Sequence, residues 1–113
     1  MITQNEYLEE LRSGAQMNFE QLIKLIDDNF NHTPASFING ELQNSADENQ
    51  NSAKLFCFAA MNNLTNLEVL HCFGQHYQAV LSSPEGSSHP NIRNFITYGW
   101  EGLKFDSPVL AKK

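Results

Sequence analysis

The strongest constraint on the fold of this chain is a nearly unbroken apolar segment that begins after Ser52 and runs from Leu55 to Met61. Its length and its alanine content favour a helix over a strand. Because a helix that is apolar on almost every side is unsuited to a surface position, it belongs in the middle of the fold. The sequence therefore predicts a central helix that ends at Asn62 and Asn63.

One domain is expected from the size of the chain. Its 113 residues are 41% hydrophobic and 18% charged, which provides enough apolar surface to offset the chain entropy lost on folding. A chain of this length buries roughly two thirds of its unfolded surface, and that suffices for one core without disulfides. We therefore predict a single domain over residues 1–113.

Two helix starts repeat the same pattern, a threonine followed three residues later by a glutamate. Thr3 and Glu6 open the first helix, and Thr65 and Glu68 open a later one. In this capping box the two side chains satisfy backbone N–H groups that the helix itself leaves unpaired. Flanking apolar pairs are spaced for a hydrophobic staple at each start, namely Ile2 with Tyr7 and Leu64 with Val69.

The remaining helices follow from apolar residues at helical spacing. Residues 18–31 form one such stretch, and residues 65–81 form another that contains Gly74. A last helix begins at Pro90, a residue suited to the first turn, and stops at Gly99. Together with the capped first helix and the central helix, the sequence predicts about five helices.

Short strands are expected at two places in the chain. Asn39-Gly40 is the strongest local turn pattern and lies between Phe37-Ile38 and Glu41-Leu42. Leu103 and Phe105 alternate with polar neighbours, and we expect them to pair with residues 37–42. The predicted fold class is therefore mainly α (α+β), with about five helices in one compact domain and at most a small two-stranded β element.

Charge and hydropathy argue against two classes of partner. The formal net charge is -6, whereas binding to nucleic acid needs clustered Lys and Arg. The only adjacent basic pair, Lys112-Lys113, lies in a tail that is expected to fray. No apolar run approaches the length of a membrane span, and the N-terminus lacks the features of a secretory signal.

Cys57 and Cys72 are expected to be buried and reduced.

Motifs for metal binding and catalysis are absent from the sequence. Asp28 and His32 are four residues apart, but His32 lies at the predicted end of a helix, where an imidazole meets the last carbonyls. His71 and His76 lie about 140° apart around a helix, so both are expected to be solvated or partly packed. No glycine-rich phosphate loop, nucleophile elbow or HExxH motif occurs. We expect no metal and no cofactor, and no catalytic residue is assigned.

Two polar segments carry the candidate binding residues. The first leads into the central helix and offers two amides and an ammonium group, from Asn44, Asn49 and Lys54. The second lies in the first turn of the last helix and offers an imidazole, two amides and a guanidinium group, from His89, Asn91, Arg93 and Asn94. The alternative is structural, with the first segment capping its helix and Arg93 forming an ion pair.

The same segments carry a family resemblance. In the C-terminal part, Pro84-Glu85-Gly86, His89, the run from Asn91 to Phe95, Gly99-Trp100 and Gly102 follow the order and spacing of the HopJ (HopPmaJ) type III effector family. The resemblance extends over residues 22–105, and Asn44, Ala46, Asn49, Ser52 and Lys54 also fit its pattern. Asp47-Glu48 and Asn51 depart from that pattern, and His76 stands where an aromatic residue is commoner.

The resemblance implies a bacterial protein, named after effectors that type III secretion delivers into host cells, with no settled biochemical activity. Export signals of that kind tend to be rich in serine and free of acidic residues, whereas this chain carries Glu6, Glu9 and Glu10 in its first predicted helix. We therefore expect a location in the bacterial cytoplasm, with type III secretion into a host cell as the alternative.

Two functions stay open at the level of sequence. The first is a binding or interaction protein, which contacts a host or bacterial protein partner through the polar face of the two segments, with Trp100 beside it. The second is a small enzyme or metabolite-binding domain in which Lys54, His89 and Arg93 form an anion site and His89 is the acid or base. An exposed apolar patch around Trp100 would favour a third role, in assembly.

Overall fold

Residues 3–113 of the computed structural model form six α-helices and five short strands. The helices are α1 Gln4–Arg12, α2 Phe19–Asn29, α3 Gln50–Met61, α4 Asn66–Cys72, α5 Gln75–Ser82 and α6 Pro90–Tyr98, with a 3₁₀ turn at Gly99–Gly102 after α6. The strands are β1 Phe30–His32, β2 Phe37–Asn39, β3 Leu42–Asn44, β4 Leu103–Phe105 and β5 Leu110–Lys112. None of these helices is long and apolar enough to cross a membrane.

Helix α3 is the central helix that the apolar segment predicts. Leu55, Phe56 and Phe58 are fully buried, and α2 and α4 pack against α3. The two phenylalanines link the layers through edge and stacked ring contacts: Phe58 meets Tyr7 and Phe30, and Phe56 meets Phe37, Phe73 and Phe95. One continuous apolar core therefore joins the N-terminal helices to α6 and the sheet.

Both predicted capping boxes are confirmed. The Thr3 hydroxyl accepts the Glu6 N–H at 3.1 Å, and the Thr65 hydroxyl accepts the Glu68 N–H at 3.2 Å. In each box the glutamate carboxylate accepts the threonine N–H in return. Ile2, one half of the first predicted staple, lies outside the residues that the structure describes.

The predicted number of helices was wrong by one, and the reason is Gly74. The expected single helix over residues 65–81 is divided there into α4 and α5. Gly74 has a φ of +58°, and a Cβ at this position would lie 2.5 Å from the carbonyl oxygen of Met17. The chain turns sharply at this glycine, close against another backbone, and only glycine fits both requirements.

The prediction of at most two paired strands was also wrong. The turn at Asn39-Gly40 and the pairing of β4 with β2 are confirmed, but together they give a three-stranded sheet in the order β3-β2-β4. A second sheet pairs β1 with β5, so the C-terminal tail does not fray as expected. Val109 and Leu110 are buried and anchor that tail. Strands of three residues are too short to show alternation in sequence.

Candidate ligand-binding cleft

A cleft of about 550 Å³ opens where four helices begin. We call it the α3–α6 cleft. Its lining comes from the first residue of α2, the first turns of α3 and α6, the start of α5, and the residues around them: Phe19, Asn49, Gln50, Asn51, Ser52, Phe73, His76, His89, Pro90, Asn91 and Ile92. Since the N-terminal end of a helix carries partial positive charge, the cleft collects positive potential from several backbones.

The helices α3 and α6 begin without a side-chain cap. Asn49 and His89 occupy the two N-cap positions, with φ of 52° and 50°, and neither side chain bonds to its helix. Left-handed backbone costs a residue such as His89 about 1–2 kcal/mol, and asparagine tolerates it better. Within the part of the chain that the structure describes, the backbone N–H groups of Gln50, Asn51 and Ser52 have no acceptor. The first turn of α3, which lines the cleft, therefore has open donors.

Two imidazoles face one another at the cleft. The ring centroids of His76 and His89 are 4.9 Å apart with an interplanar angle of 39°. Burial is the main reason that the pKa of His89 is lowered from its ordinary value of 6.5, and the neighbouring His76 and Arg93 add to the effect. The uncharged form of His89 is therefore favoured, and negative charge beside the ring would favour the charged form.

His76 is held in place from the side of α2. Its Nε2 lies 3.2 Å from Oε2 of Glu20, and its ring meets the ring of Phe19 edge to face at 5.0 Å. Phe19 in turn stacks on Phe73, with the ring planes 6° apart. The His76 imidazole is therefore held by the Glu20 carboxylate at Nε2 and by the ring of Phe19, which Phe73 supports.

A buried asparagine network lies beneath the cleft. Asn91 donates from Nδ2 to Oδ1 of Asn44 at 3.1 Å, and Asn49 donates to the same oxygen at 2.7 Å. Asn39 donates from Nδ2 to the backbone oxygen of Asn91 at 2.8 Å. Because Asn39, Asn44 and Asn91 are buried, these bonds fix the start of α6 against β2 and β3 and set the position of Asn49.

Four of the residues predicted from sequence belong to this region. Asn49, His89 and Asn91 line the cleft, and Asn44 lies directly below it in the asparagine network. The two polar segments thus meet in space, which the sequence left open. Asn91, however, is only 4% exposed, so it is not part of an exposed polar face.

The two predicted cationic side chains, Lys54 and Arg93, form their contacts outside the cleft. Lys54 Nζ lies 2.8 Å from Asp27 Oδ1. Arg93 donates to the backbone oxygens of Ser83, at 2.9 Å, and of Ser88. Neither cation lines the cleft. Arg93 instead fastens the loop that precedes α6.

The other two predicted residues support α6 and the turn that follows it. Asn94 accepts the backbone N–H of Glu41 at 3.3 Å, on the side of the three-stranded sheet. Trp100 donates from Nε1 to the backbone oxygen of Leu64 at 2.9 Å and is partly buried. Both side chains are outside the lining of the α3–α6 cleft.

Sequence reasoning missed the residues that approach the cleft from α2 and α5. Glu20, Phe19 and His76 come from these helices, about 55 residues apart in the chain. No local spacing links them, because Gly74 is what turns α5 toward α2. The sharp turn at Gly74 was the one available indication, since a helix restarting there places His76 in its first turn.

The site holds neither a metal cluster nor a reactive thiol in the part of the chain that the structure describes. No group of three or more His, Cys, Asp or Glu side chains between residues 3 and 113 is arranged to hold a metal ion. Cys57 and Cys72 are both free thiols and neither lines the cleft; Cys57 is half-buried, not buried as expected, whereas burial raises the pKa of Cys72 to about 12. A thiol with so high a pKa stays protonated and unreactive.

Fold and site together define a helix-rich α+β protein with a polar cleft at the N-terminal ends of its helices. The family model described as HopJ type III effector protein matches residues 4–110, and the chain belongs to that family. It is also similar to a solved structure titled as that of an unknown function protein, VPA0580, with 41% identity over 99% of this chain and 95% of that chain, and a TM-score of 0.95. No curated protein matches the chain.

Proposed function

We propose that this HopJ family member is a binding protein that holds a small ligand with a phosphate or carboxylate group in the α3–α6 cleft. The observation that carries the proposal is the pair His76 and His89, which face one another across 4.9 Å in that cleft. Imidazole nitrogens donate hydrogen bonds to phosphate and carboxylate oxygens. Negative charge beside His89 also favours its charged form, which burial and the nearby His76 and Arg93 disfavour.

The shape and the backbone around the histidines fit the same ligand class. A volume of about 550 Å³ lies within the range of small-molecule sites. Residues 50–52, whose N–H groups are open, line the cleft, and helix N-termini favour phosphate and carboxylate. The partly exposed ring of Phe19, backed by the buried Phe73 and Ile92, provides an apolar surface for the rest of the ligand. Ser52 and Asn51 add polar side chains at the rim.

A small ligand is favoured over a protein partner at an exposed polar face. Asn91 is buried, and Arg93 is bonded to loop carbonyls, so two residues of that face are not available to a partner. An anion site built from Lys54 and Arg93 is disfavoured for the same reason, because Lys54 pairs with Asp27. The proposal therefore keeps His89 from the sequence-based site and replaces the two cations with His76 and the start of α3.

Nuclear magnetic resonance of the full chain tests the proposal. Inorganic phosphate and acetate are titrated separately into labelled protein, and the His76 and His89 imidazoles and the amides of residues 50–52 are followed. We expect saturable shifts at these groups and binding about tenfold weaker in His89→Asn. His71→Asn is the matched control, since His71 lies outside the cleft. Saturable shifts confined to another surface, or none at all with either anion, would contradict the proposal.

Where the protein acts is a separate question. The family description implies export by type III secretion, whereas the expectation from the sequence is the bacterial cytoplasm. We keep the cytoplasm as the proposal. A translocation-reporter fusion of the whole chain decides the matter, because reporter activity inside host cells would overturn it.

A further inference from the structure

The carboxylate of Glu20 fixes the tautomer of His76. One oxygen of this carboxylate accepts the side-chain amide of Gln75, whose own oxygen accepts the Phe19 N–H at 3.0 Å. The other oxygen lies 3.2 Å from His76 Nε2. An ionised carboxylate only accepts hydrogen bonds, so Nε2 carries the proton in this contact. Nδ1 of neutral His76 is therefore left with a free lone pair, as in a base that a carboxylate orients.

His89 differs from His76 in having no such partner. Among residues 3–113 no hydrogen bond to its imidazole is formed, and its backbone is held at a φ of 50° at the start of α6. The charged or titratable groups near it are His76 and Arg93. Its ring nitrogens are thus available to a ligand, and a bound anion favours the protonated form of the ring.

We propose that the α3–α6 cleft hydrolyses a small phosphodiester, with His76 as general base, His89 as general acid and Glu20 as the positioning residue for His76. This inference rests on the proposed function, since it needs a phosphate group in the same cleft. Two histidines with one proton between them supply the acid and the base that hydrolysis requires. The unequal surroundings of the two rings assign the roles, because only His76 has a carboxylate partner.

The proposed step balances with water as the second reactant. Water adds to phosphorus while His76 Nδ1 takes one of its protons. The bond from phosphorus to the leaving oxygen breaks, and the His89 imidazolium gives its proton to that oxygen. The products are a phosphomonoester and an alcohol. The proton then returns from His76 to His89, whose rings are 4.9 Å apart, and the starting state is restored.

The cleft favours a small diester over other phosphates. A diester carries one negative charge, which matches one imidazolium and open backbone donors without Lys or Arg in the lining. The partly exposed ring of Phe19, which stacks on the buried Phe73, offers an apolar surface to an aromatic substituent. A long nucleic acid is disfavoured because the whole chain has a net charge of -6.

The test uses bis(4-nitrophenyl) phosphate and the full chain. We expect release of nitrophenol with a bell-shaped dependence of kcat/KM on pH, and a loss of about 100-fold or more in His76→Phe and in His89→Asn. Phenylalanine keeps the packing on Phe19, and asparagine tolerates the left-handed backbone. His71→Phe is the matched control and is expected to keep the full rate. Glu20→Gln is expected to lower kcat and leave KM unchanged, as a purely structural role would not.

The outcomes separate this inference from the proposed function. The hydrolysis is overturned if the natural chain releases nitrophenol no faster than the His76→Phe/His89→Asn double variant. It is also overturned if both single variants keep the rate of the natural chain. If phosphate still shifts the imidazole resonances in that case, the binding function stands and only the catalytic role falls. If phosphate and acetate do not bind at all, the binding function falls as well.

Discussion

Helices α1 and α4 begin differently from helices α3 and α6. The first two start with a capping box, in which Thr and Glu side chains satisfy the open N–H groups. The other two start with a left-handed residue whose side chain leaves its helix uncapped. The capped starts lie outside the α3–α6 cleft, whereas both uncapped starts line it. The uncapped starts of α3 and α6 therefore lie together at the place where we propose that a ligand binds.

The uncapped starts depend on buried support, since strained backbone persists only where the surroundings fix it. Asn49 is held through Asn44, and α6 is held through Asn91. The capped starts need only their own four residues. The comparison thus separates helix starts that local sequence stabilises from starts that the tertiary structure stabilises.

The largest effect on stability is expected from Asn91→Ala. This change removes one buried hydrogen-bond partner each from the amide of Asn39 and the side-chain oxygen of Asn44, and weakening buried polar groups in this way costs about 1–3 kcal/mol. Urea unfolding should show this loss. Thr97→Ala, on an exposed face of the same helix, is the control and should change the free energy of unfolding by less than about 0.5 kcal/mol. Equal losses in the two variants would contradict a supporting role for Asn91.

A smaller loss is expected at a capped start. Thr65→Ala removes the hydroxyl that accepts the Glu68 N–H, and the loss of such a cap costs about 1 kcal/mol. Thr65→Ser keeps the hydroxyl and is expected to keep most of the stability. The binding of phosphate should be the same in both variants, because Thr65 lies away from the cleft. A weaker binding in Thr65→Ala alone would break the division between capped and uncapped starts.

The same division explains how much of the fold could be predicted from the sequence. Residues close together in the chain determine the capping boxes of α1 and α4, the central helix and the turn at Gly40, and all of these features are confirmed. The break at Gly74 depends on the approach of Met17, and β1 depends on pairing with β5. Contacts between distant parts of the chain decide these features, and no local pattern shows them.

The candidate site follows the same rule. His89 and Asn49 were predicted because they stand in polar segments with recognisable chemistry. Lys54 and Arg93 have equally suitable chemistry, yet each finds a partner within the fold, in Asp27 and in the loop carbonyls. The sequence shows which side chains are able to bind an anion. Which of them are left free to do so depends on their neighbours in space.

Replacing the left-handed residue of α6 with glycine separates stability from binding. His89→Gly removes the cost of a left-handed side chain but adds freedom to the unfolded chain, and we expect a net gain in stability of about 0.5 kcal/mol. His71→Gly, in the last turn of α4, should instead lose about 0.5–1 kcal/mol. Phosphate binding is expected to weaken only in His89→Gly. A loss of stability in that variant would show that the histidine side chain contributes packing that outweighs the strain.

The smallest effect is a dependence of stability on pH that belongs to His89. Burial and the nearby His76 lower the pKa of His89 below 6.5, so the unfolded chain binds a proton at a higher pH than the folded chain does. The free energy of unfolding therefore falls as the pH drops from about 6.5 to the folded pKa and changes no further below it. Thr3 and Ser45 lower the pKa of Glu6 and Glu48 from 4.5, so their contributions fall in a more acidic range. The free energy of unfolding of His89→Asn, measured between pH 5 and 7, should change less with pH than that of the natural chain. Equal slopes in the two proteins would mean that the uncapped start does not disfavour the charged ring.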